Sequence, residues 1–232
     1  KQDYTLLYSA MEYASKFYRW QLKNHPQSKE IIAYIKSRNL SAKTAQLYGI
    51  GFAPDDWRTL TDTLSEKYGI PTLSEAGLTI QKTPSKYYDR FRNRLIFPIR
   101  NRQGKTIGFG GRILKDEPDQ PKYLNSPETP VFHKGEELYG LYELKQTRQN
   151  INHLLIVEGY MDVIGLAEHG YMKAVATLGT SLTENHIKRL FRETDQLIFC
   201  FDGDDAGQKA ALRSLQLVLP FLTGERSAHF LS

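Results

Sequence analysis

The apolar residues of this chain follow a helical period near its start, a strand-like period in its middle, and alternating strand and helix patterns towards its end. Residues 4–23 carry apolar side chains three and four positions apart, which predicts an amphipathic helix. A second helix is predicted from Ser28 and a third with Ser41 as its N-cap, because a serine hydroxyl accepts the free N–H groups at a helix start. For a fourth helix the sequence offers Asp55 or Asp56 as the cap.

The spacing of apolar residues changes from helical to strand-like around Tyr87. Residues 95–100 and 106–113 are rich in apolar side chains and are joined by a short polar loop, which predicts a β-hairpin. Residues 136–149 are predicted to form one helix that closes this lobe. No linker rich in proline, glycine or serine interrupts the chain.

The last third of the chain alternates short apolar runs with helical patterns, which is typical of a parallel sheet with helical crossovers. The sequence therefore predicts an α/β protein in which an α+β lobe, residues 1–150, precedes a parallel α/β lobe, residues 151–232. The predicted strands of the second lobe are 154–157, 172–176 and 196–201, and its predicted helices are 160–169, 183–192 and 205–219.

Acidic side chains directly follow two of these predicted strands. Glu158 follows the first, and Asp202 and Asp204 follow the last. The carboxyl ends of parallel strands share one edge of the sheet, so three carboxylates are predicted to gather there. Such a group repels itself unless a hard cation lies between its members, and Mg²⁺ or Mn²⁺ suits oxygen ligands of this kind. N-capping of the following helix is the alternative for the aspartates, but it does not account for Glu158.

Gly179, Thr180 and Ser181 end another predicted strand of the same sheet. Their N–H groups and hydroxyls either face a phosphate group or only begin the next helix. The residues themselves do not decide between these two interpretations.

Basic charge is concentrated in the first lobe. Residues 1–150 contain 24 Lys and Arg against 16 Asp and Glu, net +8, whereas residues 151–232 contain 7 against 10, net −3. Between residues 86 and 134, eleven basic side chains are interleaved with aromatic rings. Proteins that bind single strands combine the same residue types for phosphates and bases. A β-sheet with one apolar and one solvated face gives the same alternation, so both interpretations stay open.

Five blocks of sequence carry a resemblance to a known family. In chain order they are RFRNRLIFPIR (90–100), IGFGGR (107–112), KYLNSPETPVFHKG (122–135), EGYMD (158–162) and DGD (202–204). Together they resemble the catalytic core of the DnaG-type bacterial DNA primases, with its Toprim domain, over most of residues 28–220. The acidic blocks alone are shared by several enzyme classes, whereas all five in this order are specific.

The resemblance implies a nucleotidyltransferase that synthesises short RNA primers on single-stranded DNA from ribonucleoside triphosphates, with two divalent cations, Mg²⁺ or Mn²⁺. It implies Glu158 as the metal-linked catalytic acid–base, Asp202 and Asp204 as metal ligands, and Asp162 as a residue that orients a ligand or a bound water. It assigns nucleotide or template contacts to four basic residues, which are Arg38, Arg112, Lys122 and Lys134.

The resemblance also implies partners and a location. For the full-length protein these are a replicative helicase, a single-strand-binding protein, and the nucleoid-associated replication fork in the cytoplasm. The single Cys200 cannot form an internal disulfide, and the sequence has neither an apolar run of membrane-spanning length nor a visible signal peptide. These observations fit a cytoplasmic protein.

Two other functions stay open at this point. A Toprim-type topoisomerase or nuclease would use the same acids, whereas a non-catalytic module that binds single-stranded nucleic acid would not need them. Family members carry a further Asp-rich motif beyond the last predicted strand, together with zinc-binding and helicase-binding domains, and residues 1–232 contain none of them. We therefore expect a Toprim lobe truncated at its C-terminal end, weak metal binding, and little or no primer synthesis by this chain alone.

Overall fold

The computed structural model describes residues 3–83, 85–115 and 120–231, and the contacts divide the chain into two units. Unit 1 is Lys1–His133 and unit 2 is Lys134–Ser232. The boundary was predicted at residue 150, whereas in the structure the segment from 134 to 150 belongs to unit 2. It belongs to unit 2 because Tyr139 exchanges backbone hydrogen bonds with Ala176, which lies in the sheet of that unit.

Unit 1 begins with helices. The predicted first three are confirmed, and the hydroxyl of Ser41 accepts the Thr44 N–H at 3.2 Å, as expected of an N-cap. The helices of this unit are α1 (Thr5–Asn24), α2 (Ser28–Ser37), α3 (Ala42–Leu47), α4 (Thr59–Tyr68) and α5 (Ile70–Glu75).

The strands of unit 1 form two separate antiparallel sheets, and the predicted hairpin is confirmed. The larger sheet has the order β1-β4-β5-β6 and pairs Leu95 with Arg112, while β2 and β3 form a two-stranded sheet of their own. The strands are β1 (Gly51–Ala53), β2 (Thr79–Thr83), β3 (Lys86–Asp89), β4 (Arg94–Arg100), β5 (Thr106–Ile113) and β6 (Tyr123–Asn125).

Helix α1 packs closely on the larger sheet. A Cβ at Gly51 would come within 2.6 Å of Tyr18 Cβ, so the glycine permits the backbone of β1 to approach the helix. Tyr18 is buried against Phe109 of β5, with their rings 5.3 Å apart and edge to face. The core of unit 1 therefore lies between α1 and this sheet.

The start of α4 differs from the prediction. Asp56 accepts the Arg58 N–H in the preceding turn, and neither it nor Asp55 caps the helix. The buried Asp89 at the end of β3 accepts the N–H groups of Leu60 and Thr61 at 2.8 and 2.9 Å and the Thr61 hydroxyl at 2.6 Å. Burial raises the pKa of Asp89, although these hydrogen bonds oppose the shift. A local sequence pattern cannot reveal a cap supplied by a distant strand.

Unit 2 is a parallel α/β sheet, as predicted, with the strand order β10-β9-β7-β8. No helix in the described part of the chain is long and apolar enough to cross a membrane. The strands are β7 (Leu154–Val157), β8 (Ala174–Ala176), β9 (Gln196–Cys200) and β10 (Ser227–Leu231); the helices are α6 (Leu141–Gln146), α7 (Tyr160–Glu168), α8 (Glu184–Leu190) and α9 (Asp205–Val218), with a 3₁₀ turn at Leu219–Phe221.

Two elements of unit 2 depart from the sequence analysis. The strand β10, which was not predicted, pairs with β9 and forms an edge of the sheet. Its sequence, SAHFL, is too short to give a clear signal of a strand, and Phe230 stacks on Phe199 with the ring centres 4.8 Å apart. The predicted helix over 136–149 is reduced to α6, because Gly140 has a φ of +87° and a Cβ there would meet Val163 Cγ1 at 2.6 Å.

We predict that replacing Asp89 by alanine lowers the free energy of unfolding by about 2 to 3 kcal/mol, because buried donors of α4 lose their acceptor. Urea denaturation measures this. Asp62→Ala is the control, since Asp62 lies on the same helix but pairs with Arg58 in solvent and should leave the midpoint nearly unchanged. Equal effects of the two substitutions would contradict the capping role of Asp89.

Candidate functional site

Two acidic residues lie side by side at the edge of the parallel sheet of unit 2. Glu158 directly follows β7, and Asp202 lies two residues beyond β9. Because these strands are parallel neighbours, with Ile156 opposite Phe199, their carboxyl ends lie side by side. The Asp202 N–H donates a hydrogen bond to Glu158 Oε1 at 2.6 Å. The structure therefore brings two of the three predicted acids together.

Asp204 does not join them as a third member of one group. Its carboxylate caps α9 and accepts the Gly207 N–H at 2.8 Å. Within residues 3–83, 85–115 and 120–231, no three His, Cys, Asp or Glu side chains form a group that could hold a metal ion. The predicted three-carboxylate cluster is therefore not assembled here, because free N–H groups at the helix start compete for the same carboxylate oxygens.

Gly207 is a residue of this site to which the sequence analysis gives no role. It is buried in the first turn of α9, and a Cβ there would overlap the carbonyl group of Asp202. A larger residue would push the Asp202 backbone away from its hydrogen bond with Glu158. The available signal is a glycine inside a predicted helix, where it costs about 1 kcal/mol relative to alanine.

Asp162 lies one turn beyond Glu158 and holds the backbone between them. Its Oδ2 accepts the Gly159 N–H at 2.9 Å, which satisfies a free donor at the start of α7. The pKa of Asp162 is raised chiefly by loss of solvent around the carboxyl group, although the residue as a whole is exposed. The Gly159 hydrogen bond lowers this pKa, while the negative charge of Asp202 raises it further.

A cavity of about 300 Å³ adjoins Glu158 in unit 2. The segment Gly179–Ser181 forms part of its wall, and Thr183 rather than this segment caps α8, so the capping interpretation does not apply to the segment. Arg213 of α9 also lines the cavity, and it has no ion pair with any residue that the structure describes. The cavity is thus lined by one cation, the Glu158 carboxylate and four hydroxyl-bearing residues, which are Thr177, Thr180, Ser181 and Ser214.

Three of the predicted basic residues belong to unit 1, and two of them share an aromatic ring. The guanidinium groups of Arg38 and Arg112 lie 5.2 and 6.0 Å from the ring centre of Tyr34. Arg112 is buried, donates a hydrogen bond to Tyr123 Oη at 2.8 Å, and has no partner for its Nε among the described residues. Tyr34 is a residue that the sequence analysis misses, because one tyrosine on an amphipathic helix gives no signal of its own.

Lys122 is exposed just before β6, and buried Arg94 holds its backbone. One nitrogen of Arg94 donates to the carbonyl groups of Pro121 and Lys122 at 2.9 and 3.4 Å. The Ile113 N–H also donates to the Lys122 carbonyl at 3.0 Å. Arg94 is another residue without a predicted role, and its only signal is a charge within an apolar run.

Lys134, the fourth predicted basic residue, belongs to unit 2 together with the acids. Its carbonyl group is 2.9 Å from Nε2 of the buried His186 on α8. Lys122 and Lys134, which the sequence presents in one block, therefore belong to different structural units.

Two family models match this chain. The model for the N-terminal domain of the DNA primase catalytic core matches residues 17–145, and the model for the Toprim domain matches residues 152–226. The chain is 52% identical to a DNA primase of Pseudomonas putida over 97% of its own length and 34% of the relative. It is 45% identical to a DNA primase of Escherichia coli K12 over 97% of its length and 38% of the relative. It thus spans about a third of these proteins.

This chain covers a larger share of the solved structures that have the same fold. A DNA primase domain from Pseudomonas aeruginosa superposes with a TM-score of 0.92 at 50% identity, over 97% of this chain and 70% of that chain. A DnaG primase catalytic domain bound to single-stranded DNA gives 0.91 at 45% identity, over 98% and 70%.

We predict that Asp204→Ala lowers the free energy of unfolding by about 1 kcal/mol in metal-free buffer, because α9 loses its N-cap. Asp204→Asn keeps an acceptor oxygen at the same position and should lose much less. Urea denaturation in the presence of a chelator compares the two, and equal losses would show that capping is not what Asp204 contributes.

Proposed function

The chain belongs to the DnaG-type DNA primase family, and we propose that it carries the part of a primase that synthesises short RNA primers on single-stranded DNA from ribonucleoside triphosphates. In this proposal it is a nucleotidyltransferase with its reaction centre at the edge of the parallel sheet. The observation that carries the proposal is the 2.6 Å hydrogen bond from the Asp202 backbone N–H to the Glu158 carboxylate, which places acidic residues from the ends of two neighbouring strands side by side.

Glu158 and Asp202 fit a hard divalent cation such as Mg²⁺ or Mn²⁺. Both are exposed carboxylates, and no Lys or Arg within the described ranges is paired with either of them. Asp204 fits the same cation only if its side chain releases the Gly207 N–H. When bound, one or two such cations would neutralise charge on the triphosphate and activate the 3′-hydroxyl of the primer.

The protein groups around this position orient Glu158. Its Oε1 already accepts the Asp202 N–H, so Oε2 is the oxygen available to a ligand or to a proton. Asp162 fixes the N–H of Gly159, the residue that follows Glu158, and therefore limits the directions in which the carboxylate can point. In the proposed reaction Glu158 is the catalytic acid–base.

The basic surface of unit 1 supports the template part of the proposal. Arg38 and Lys122 are exposed and can pair with phosphates, while the rings of Tyr34 and Tyr123 flank Arg112 at 6.0 and 5.5 Å. Rings held beside cations suit single-stranded nucleic acid, whose bases stack on aromatic side chains while its phosphates pair with cations. Lys134 would contact a phosphate of the nucleotide or of the template from unit 2.

A wider assignment rests on the family alone. A replicative helicase and a single-strand-binding protein are the proposed partners, and a replication fork in the cytoplasm is the proposed place of action. No contact within the described residues bears on any of them.

We predict that Asp202→Asn lowers primer yield about 100-fold or more, because loss of even an indirect metal contact costs 10- to 100-fold. The assay supplies an unprimed single-stranded template and four ribonucleotides to the protein as it occurs in the cell. Asp205→Asn, which also removes one negative charge but from the first turn of α9, is the control. A parallel Mn²⁺ titration should show weaker binding for Asp202→Asn only.

Two outcomes of this experiment would favour the alternatives. Cleavage or relaxation of DNA without primers would indicate a topoisomerase or nuclease. Binding of single-stranded DNA that depends neither on Mg²⁺ nor on Glu158, again without primers, would indicate a non-catalytic module.

We predict that Lys122→Ala combined with Lys134→Ala lowers the slope of log affinity against log salt for single-stranded DNA by about one to two units. Each phosphate contact releases counterions from the DNA, so the loss of a contact reduces the number released on binding. Fluorescence anisotropy of a labelled oligonucleotide measures the slope. The control variant, Lys105→Ala with Lys188→Ala, also removes one exposed charge from each unit. If both double variants change the slope equally, Lys122 and Lys134 do not contact phosphates specifically.

A further inference from the structure

The segment from Lys134 to Glu137 is held by side chains from the start of α8. His186 Nε2 lies 2.9 Å from the Lys134 carbonyl oxygen and 3.1 Å from that of Glu137. The Thr183 hydroxyl donates to the Gly135 carbonyl at 2.5 Å. Every carbonyl group of this segment accepts a hydrogen bond, since Arg189 donates to that of Glu136 at 2.8 Å.

The hydrogen bonds fix the chemical form of His186. Both partners of Nε2 are carbonyl oxygens, which only accept, so Nε2 carries the proton. Nδ1 accepts the Thr183 N–H at 3.2 Å and must therefore be free of a proton. The imidazole is neutral, because protonation of Nδ1 would place its N–H against the N–H of Thr183 with no acceptor between them.

The surroundings of His186 keep it neutral. Burial lowers its pKa, while its hydrogen bonds to the carbonyl groups of Lys134 and Glu137 oppose the shift. The charge of Arg189 lowers the pKa further, and that of Glu136 raises it. Because the pKa lies below its ordinary value, the hydrogen-bonded form is present at neutral pH.

These contacts link Lys134 to the wall of the cavity beside Glu158. Thr183, which binds the Gly135 carbonyl, comes directly after Leu182, and the segment from Gly179 to Leu182 lines that cavity. Lys134 is therefore only a short stretch of fixed backbone away from the acidic edge, and it is attached to that edge within one unit.

We propose that His186 is a positioning residue, which fixes the backbone of Lys134 so that its amine is directed to the phosphates of the ribonucleoside triphosphate. This inference rests on the proposed function, and it concerns how the nucleotide is held. A residue that fixes the position of a phosphate-binding lysine reduces the entropy that is lost when the nucleotide binds.

The imidazole of His186 holds one segment of the chain to the start of α8. Every hydrogen bond of the imidazole goes to the segment 134–137 or to Thr183, the cap of its own helix. Loss of the imidazole should therefore release the segment while the sheet persists.

The test measures primer synthesis and GTP binding with the protein as it occurs in the cell. His186→Ala should raise the KM for GTP and the Kd for GTP about 10- to 100-fold with little change in kcat, because positioning of Lys134 is lost. His186→Gln, whose amide can both donate and accept, should recover much of this loss. His169→Ala, which removes an exposed histidine of the same unit, should change nothing.

A double-variant cycle shows whether His186 acts through Lys134. If it does, His186→Ala adds little to the effect of Lys134→Ala, whereas additive losses would overturn the proposal. A change in kcat alone would also overturn it. If His186→Ala does not fold, Arg189→Gln replaces it in the cycle, since it removes the hydrogen bond to the Glu136 carbonyl from a partly exposed position.

Failure of the proposed function would look different. Wild-type protein would then neither bind GTP with a dependence on Lys134 nor make primers. An active wild type with an unaffected His186→Ala variant would leave the function standing and remove only the positioning role.

Discussion

The parallel pairing of β7 with β9 is the constraint on which the acidic site of this protein depends. The register places Leu154 opposite Leu197 and Ile156 opposite Phe199, and these four buried side chains make the register hard to shift, because a slip would move each onto the other face. Continuing the same register beyond the strands brings Glu158 next to the Asp202 N–H. The position of both carboxylates is thus decided by apolar packing several residues away, and Gly207 keeps that position free of a competing side chain.

The parts of the fold that could be predicted are those in which local sequence and tertiary packing agree. The long α1, the hairpin of β4 and β5, and the alternating elements from β7 to α9 all bury one apolar face and show it in their spacing. The short strands β1 and β10 depend on partners that the local pattern does not contain. The start of α4 depends on Asp89 in the same way, and the turns before α6 are held by side chains of α8 that donate hydrogen bonds to their carbonyl groups.

The residues of the candidate site could also be predicted only in part. Residue types and strand ends sufficed to select Glu158 and Asp202, because the end of a parallel strand is a defined place in space. The same reasoning could not tell whether Asp204 turns towards a ligand or towards its own helix, since both positions suit an aspartate three residues before Gly207. Tyr34, Arg94 and His186 act through contacts with segments distant in sequence, and only the folded structure shows such contacts.

In the proposed function, the burial of Arg112 bears on the rate at which a nucleic acid would reach the protein, apart from how tightly it would be held. The guanidinium group lies against the rings of Tyr34 and Tyr123, and no carboxylate in the described ranges is paired with it. A charge in such a low-dielectric setting is poorly screened, so its field extends into the solvent. In the proposed function an approaching polyanion would be drawn towards this surface of unit 1 before any contact forms, and this long-range attraction would weaken as ionic strength rises.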